Sequence, residues 1–401
     1  MADARPHIAI LGAGPTGLEA ALAAIDGGFP FTLYEADEGV AGDIRRWGHV
    51  RLFTPWSLNV SPRMRRHLYS AGIEVPDTDD CPLGSELVAR LLEPLAALSQ
   101  LAPHLHTATR VLEVGKEQLV KNDEVGTGRR ADHRFRLLVA GPDGTERTAT
   151  ADVVLDCTGS YGNPNATGNG GIAAPGEREM HGVIRRHIPD FAAETDEWAG
   201  QTVLVVGAGH SAQTAVADLA ALAEAHPGTR VLWALRSAEP SFQPEDADPL
   251  PARAQLLARA AELAAGASPA VETLPGVVVD SLSRNGEKTR VTLRQADGGE
   301  HSVDVDWVLS LTGYVGDHSL YRQLQVHECY ATSGPMKLAA ALLGSGSDDC
   351  LAQESHGAET LVNPEPGFFL LGSKSYGRNP TFLMRVGWEQ VEEVFGLLET
   401  A

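Results

Sequence analysis

Cysteine is scarce, and its placement excludes more than its number: Cys81, Cys157, Cys329 and Cys350 lie far apart in 401 residues, with no C-x-x-C. That spacing offers no dithiol to carry electrons and no metal cluster. Basic residues are also short, 32 Lys and Arg against 53 Asp and Glu, for a formal net charge of −21. Such a chain suits neither nucleic acid nor an anionic membrane surface, and the excess charge serves solubility. No apolar run approaches the ~20 residues of a membrane span. The first apolar strand starts close behind Met1, leaving no room for a signal peptide. The expectation is a cytoplasmic protein with reduced thiols and two domains.

What is present begins with residues 7–17, HIAILGAGPTG. The short β-branched run at 8–11 reads as a buried parallel strand, and a helix-forming run follows at 18–25. Between them stand Gly12, Gly14 and Gly17, flanked by Pro15 and Thr16. Gly12 makes the tight turn, Gly14 admits a pyrophosphate to the backbone, and Gly17 lets helix pack on strand. The helix N-terminus offers unpaired N–H groups to the phosphates. A second strand at 31–34 ends in Glu35, 23 residues after Gly12, where an acid accepts a bond from a ribose 2′-hydroxyl.

The segment 45–62 is polar and aromatic, with Pro55 and Pro62, and reads as irregular. Trp47 and Asn59 in it are candidates for the face of a bound cofactor, by position. Arg63, Arg65 and Arg66 read as a solvated face, and 83–98 as a packing helix. Period-two patterning predicts strands at 111–114, 135–139 and 151–155, with a turn at 142–144 and an exposed charged loop at 122–133. An apolar strand then ends in Thr158-Gly159, which brings backbone near a cofactor, with Cys157 a small buried residue.

The opening then repeats. A strand at 202–206 precedes Gly207, Gly209, His210, Ser211 and Ala212, the last replacing the third glycine, and a helix is expected at 213–225. The next strand, 230–235, ends in Arg236 and Ser237 instead of an acid. A cation and a hydroxyl suit a 2′-phosphate, so NADPH is expected over NADH. An acidic loop at 240–251, a helix at 250–265, strands at 277–282, 289–295, 302–305 and 307–311, and Thr312-Gly313 complete the copy. Two copies of one unit mean two dinucleotides.

With both copies in view, the chain resembles the flavoproteins with two dinucleotide-binding domains, and among them the flavin-containing monooxygenase-like group. The resemblance rests on the two glycine motifs, Glu35, Arg236, the C-T-G at 157–159 and the L-T-G-Y at 311–314. It implies an α/β fold of two Rossmann-like, doubly wound, three-layer domains. The first, FAD-binding domain would comprise 1–167 and 315–401, with an NADPH-binding domain at 168–314 inserted. The group's F-x-G-x-x-x-H hallmark appears only in altered form, as Met180-His181-Gly182 with His187 one residue late.

The resemblance implies hydride transfer from NADPH to FAD, then oxygen activation and oxygenation of a nitrogen or sulfur nucleophile. Transfer of electrons to a quinone, metal or protein is the alternative, and a non-catalytic flavin-binding regulatory subunit a further one. The expected partners are a small-molecule substrate and oxygen, with a homodimer left open. In the C-terminal stretch a strand at 368–371 leads into Gly372, Ser373, Lys374, Arg378, Asn379 and Thr381, and a helix at 382–398 follows. In such proteins this strand end and helix start face the flavin, so Gly372, Ser373, Asn379 and Thr381 are candidate cofactor contacts. Lys374 and Arg378, with Asn59, are the candidate catalytic groups, the two cations supplying positive charge near reduced flavin or a substrate carboxylate. Tyr330, Met336 and His356 are candidate pocket residues.

Overall fold

The computed structural model describes residues 5–242, 250–345 and 355–400. The chain divides into two compact units, one of residues 1–48, 54–163 and 315–401, the other of 49–53 and 164–314.

The first unit is built on a parallel sheet. Strand β1 (Ile8–Leu11) lies between β2 (Phe31–Tyr34) and, on its other side, the later strand Val153–Asp156, all fully or nearly buried. Beyond β2 comes β3 (Leu105–His106). Next in the chain is an antiparallel meander of β4 (Arg110–Lys116), β5 (Phe135–Ala140) and β6 (Glu146–Ala151). The chain then enters β7 (Val153–Asp156). Residues 151–155 are therefore not one strand. Asp152 divides them, its carboxylate accepting from the His7 backbone N–H (2.8 Å) and Arg134 Nε (2.8 Å).

One face of the sheet carries the helix Pro15–Gly27 and the other carries the meander. Pro15 fits the first turn, where its missing N–H is not needed, and Gly28 ends the helix in the left-handed region at φ 65°. The helix is buried on nearly every side because Met384–Thr400 packs over it, with Phe29 edge-on to Phe395 at 5.6 Å. On the opposite face Ala9, Leu11 and Val154 meet Val114, Leu137 and Val139 of the meander.

The second unit repeats this. Its order is β8 (Ile184–Arg185), the later strand Trp307–Ser310, β9 (Thr202–Val206), β10 (Arg230–Leu235) and β11 (Val271–Pro275). The meander is β12 (Val277–Asn285), β13 (Lys288–Gln295) and β14 (Glu300–Val305), and Trp307–Ser310 is β15. Alternation sorts the two faces: Val203, Val205 and Trp233 pack on the helices, Leu204, Leu232 and Val308 on the meander. The fold is thus α/β with two Rossmann-like, three-layer domains, the meander forming the third layer.

Returning to the first unit, the last strand pairs are β16 (Glu328–Cys329) with β17 (Gly334–Pro335), and β18 (Phe368–Leu370) beside β7. The sheet orders β18-β7-β1-β2-β3 and β8-β15-β9-β10-β11 then correspond place for place.

Several expectations need correction. The stretch 45–62 is partly helical, as Gly42–Arg46, Trp56–Asn59 and the start of Pro62–Ser70, the last capped by Ser61, which accepts from Met64 N (2.9 Å). Arg63 is not on a solvated face. It bridges Glu19 (2.7 Å), Asp26 (3.0 Å) and Glu392 (2.5 Å). The 122–133 segment is not simply exposed, since Arg130 is wholly buried. Its guanidinium binds the Glu365 carboxylate (2.8 Å) and the Val120 and Asp123 carbonyls. The 83–98 helix is widened at Val88–Leu92, next to Pro94, which has no N–H to give. The C-terminal helix begins at Met384, because a short turn at Gly372–Tyr376 and the Asn379–Thr381 turn intervene. Cys350 and residues 243–249 of the acidic loop lie outside the described residues.

Candidate functional site

In the first unit β1 delivers the chain to Gly12, whose φ of +92° favours glycine. Its N–H donates to the Tyr34 carbonyl (2.7 Å), and a Cβ there would lie 2.9 Å from the Cys157 carbonyl oxygen. A Cβ on Gly17 would lie 1.8 Å from the Gly12 carbonyl oxygen. Gly14 differs: its backbone is ordinary, φ −79° and ψ −172°, and a Cβ on it would meet nothing within 4 Å. Open space at the N-terminus of a 13-residue helix is what an incoming phosphate requires. Thr16 is buried, its hydroxyl against Gly372 and Gly387.

Glu35 sits at the end of β2 with its carboxylate anchored. Oε2 accepts from Ala13 N (2.8 Å) and Oε1 from Asp37 N (3.0 Å), leaving lone pairs on both oxygens. Burial pushes its pKa up, against the pull of these two bonds. Glu35 is thus held to the glycine turn itself.

At the end of β7 the Thr158-Gly159 turn lies against Gly12, with Gly159 at φ +71°. The Thr158 hydroxyl turns back to Asp156 Oδ1 (2.6 Å), and its N–H donates to the same oxygen (3.1 Å). Asp156 Oδ2 accepts from Lys374 Nζ (2.7 Å), which also reaches Thr158 Oγ1 (3.1 Å). Both side chains of this ion pair are fully buried. Burial, and then the Asp156 charge, push the Cys157 thiol pKa well up, so it is held as an inert thiol.

In the second unit Gly207 has φ +133°, and a Cβ there would lie 2.3 Å from the Leu311 carbonyl oxygen. The Ala212 methyl comes within 3.6 Å of that Cβ position, so alanine fits at the third place. Gly209, like Gly14, faces open space. Trp233 Nε1 donates to the Gly207 carbonyl (2.8 Å) and Gln213 Nε2 to that of Ala208 (2.9 Å), which stiffens the loop. His210 is exposed and meets Phe53 edge-on at 5.1 Å, and Ser211 is half-buried in the first helical turn. Arg236 and Ser237 are exposed at the end of β10, with Ser237 Oγ donating to the Glu239 carbonyl (2.9 Å). The Thr312-Gly313 turn is braced by Asn165, whose Nδ2 donates to the Thr312 carbonyl (3.1 Å). The altered hallmark lies here too, with His187 stacked on Tyr314 at 5.7 Å.

The other candidates have local roles. Both ends of the Asn59 amide are engaged by Thr54 (2.7 Å each). Trp47 is half-buried against Gly84, edge-on to Tyr161. Ser373 is half-buried, its hydroxyl 3.6 Å from where a Cβ on Gly159 would stand. Asn379 Oδ1 accepts from Thr381 N (3.0 Å) and Thr381 Oγ1 (2.8 Å), closing a turn. Arg378 is exposed, and its backbone N–H donates to the Thr332 carbonyl (2.8 Å). Met336 and His356 are half-buried, whereas Tyr330 is fully exposed. Sequence reasoning missed Asp156, Asn165 and Gly387. A carboxylate closing the apolar run V-V-L-D was the one available signal, for Asp156.

Among the described residues no group of His, Cys, Asp or Glu could hold a metal ion, and no helix is long and apolar enough to cross a membrane. The pyridine nucleotide-disulphide oxidoreductase family profile matches residues 6–329. No curated protein matches in sequence. Among solved structures the chain is similar to the bacillithiol disulfide reductase Bdr of Bacillus cereus, at TM-score 0.70 and 18% identity over 98% of this chain and 99% of that one. It is similar to the ornithine N-hydroxylase of Kutzneria sp. 744, at TM-score 0.62 and 15% identity over 97% and 98%. A flavin-containing monooxygenase from Stenotrophomonas maltophilia aligns at TM-score 0.57 and 19% identity over 98% of each chain.

Proposed function

The chain belongs to the pyridine nucleotide-disulphide oxidoreductase family and is an oxidoreductase that binds FAD and NAD(P)H, and within that class we propose an NADPH-dependent monooxygenase acting on a small amine or sulfur nucleophile. One observation carries the choice. The sequence has no C-x-x-C, and Cys157, the cysteine beside the first cofactor turn, is a buried thiol with its pKa pushed well up. With no C-x-x-C relay in the sequence, the flavin itself is the group that hands electrons to the acceptor. Structural similarity to an amine hydroxylase and a flavin-containing monooxygenase supports oxygen as that acceptor.

Bound together, nicotinamide supplies a hydride and flavin supplies two-electron reduction of oxygen. The chain's own work is binding and orientation. The open face at Gly14 and the helix behind it hold the FAD pyrophosphate, and Glu35 accepts from the adenosine ribose. Gly209 and its helix hold the NADPH pyrophosphate, while Arg236 and Ser237 meet the 2′-phosphate. Gly159, Ser373 and the Asn379–Thr381 turn present backbone to the flavin, and Thr312-Gly313 does so to the nicotinamide. Asn59 positions Thr54, Lys374 acts from beneath the Thr158 turn, and Arg378 offers an exposed cation to substrate.

The test compares oxygen uptake, NADPH oxidation and hydrogen peroxide release with a panel of diamines, amino acids and thioethers. An oxygenase gives peroxide well below NADPH consumed with one member of the panel, and a hydroxylated product. Stoichiometric peroxide with every compound, and fast turnover only on a quinone or disulfide, would overturn the reading in favour of a reductase.

A further inference from the structure

The two copies of the unit build the same turn with different chemistry behind it. Asp156-Cys157-Thr158-Gly159 at the end of β7 corresponds to Ser310-Leu311-Thr312-Gly313 at the end of β15. In the second unit Ser310 is buried and neutral, and its hydroxyl is bonded to Thr167 Oγ1 (2.7 Å). In the first, a carboxylate and an ammonium take that place, both fully buried at 2.7 Å. The second unit keeps its ion pair beside the strand: Arg186 Nη1 lies 3.4 Å from Ser310 Oγ and the same guanidinium binds Glu177 (2.7 Å) while remaining partly exposed. The first unit sets both charges in the strand end itself with neither exposed, and burying an ion pair costs more than burying a hydroxyl. The surroundings are arranged for the charge as well. Lys374 Nζ stands 5.1 Å over the Tyr321 ring, Tyr321 donates to Glu328, and Glu328 also accepts from His318 Nδ1 (2.6 Å). Gly316 is needed beside it, since a Cβ there would lie 2.5 Å from Lys374 Cγ.

We propose that the buried Asp156–Lys374 pair is a positioning and charge-setting device that fixes the reduction potential of the FAD held by the first unit. The pair lies at the carboxyl end of a central strand, the end at which open α/β sheets take their ligands. Reduction adds negative charge to the flavin, so an ammonium there favours the reduced form and a carboxylate opposes it. The inference rests on FAD binding at the Gly12 turn and is independent of whether oxygen is inserted into a product.

The experiment measures the midpoint potential of the bound FAD by dye equilibration in K374M, D156S and the double variant, with FAD retained on gel filtration. D156S copies the residue that the second unit uses at this place. K374M should move the midpoint to more negative potential and D156S to more positive. Each shift should correspond to about a tenfold change in the affinity ratio of reduced to oxidised FAD, about 30 mV for two electrons. The double variant should return towards the wild-type value. A merely structural role would move both single variants the same way or neither, and that result would overturn the proposal. If K374M fails to fold, D156S decides alone: an unchanged or more negative midpoint would refute the claim. Absence of FAD from the wild-type protein would instead sink the cofactor assignment itself.

Discussion

The α-carbon of Gly17 packs so closely on Gly12 that a Cβ on Gly17 would stand 1.8 Å from the Gly12 carbonyl oxygen. Nothing but a backbone shift relieves that contact. Gly17→Val should therefore lower stability by about 3 kcal/mol or more, at the top of the overpacking range, and the protein should lose FAD. Urea unfolding and FAD content per chain check both.

Gly209 is the opposite case, with ordinary φ and ψ and open space before it. Gly209→Val should lower unfolding free energy by only about 1 kcal/mol, because glycine caps the helix better than valine, and leave FAD content unchanged, while NADPH no longer reduces the protein. Anaerobic addition of NADPH to the oxidised protein, followed by dithionite, separates the two.

Arg236→Ala should raise KM for NADPH by roughly 10- to 100-fold, the worth of about 1.5–3 kcal/mol for a charged hydrogen bond, and leave KM for NADH nearly unchanged. Steady-state kinetics with both nucleotides checks this. Equal effects would remove Arg236 from the 2′-phosphate.

Arg130 and Glu365 form a buried pair with side chains fully out of solvent. Arg130→Met leaves that carboxylate uncompensated and should cost about 3–5 kcal/mol, read from denaturant midpoints. Activity per folded FAD-bound molecule should hold, because the pair joins the β4–β5 connection to the segment leading into β18.

Burial raises the Glu35 pKa above its ordinary 4.5. The folded state thus prefers the protonated acid relative to the unfolded chain. Glu35 contributes stability below pH 4.5, and that contribution is lost as pH rises through the folded pKa. Glu35→Gln should flatten the apoprotein stability profile across that window, by at most about 1.4 kcal/mol per pH unit. Thermal unfolding across pH 4–7 would show it.

The glycine turns, Glu35, the meanders and the repeat were legible because each is local: alternation, 3.6-residue spacing and turn glycines act within a dozen residues. The roles of Arg63, Arg130 and Lys374 were not. Each is a cation whose meaning depends on a carboxylate far along the chain, Glu392, Glu365 and Asp156. Charge alone reads as surface at Arg63 and Arg130 and as a cofactor-side cation at Lys374, and only the fold brings the partner. Thr158 follows the apolar strand as its sequence indicates, and its hydroxyl faces Asp156, an orientation that residue type does not specify.

The most direct test of the central claim is a rapid-mixing one. The protein is reduced anaerobically with NADPH and then mixed with oxygenated buffer without substrate. The account predicts a transient absorbance unlike oxidised or reduced flavin, which decays faster when a suitable amine or thioether is present. Direct return to the oxidised spectrum, with one hydrogen peroxide per flavin and no response to any nucleophile, would contradict it.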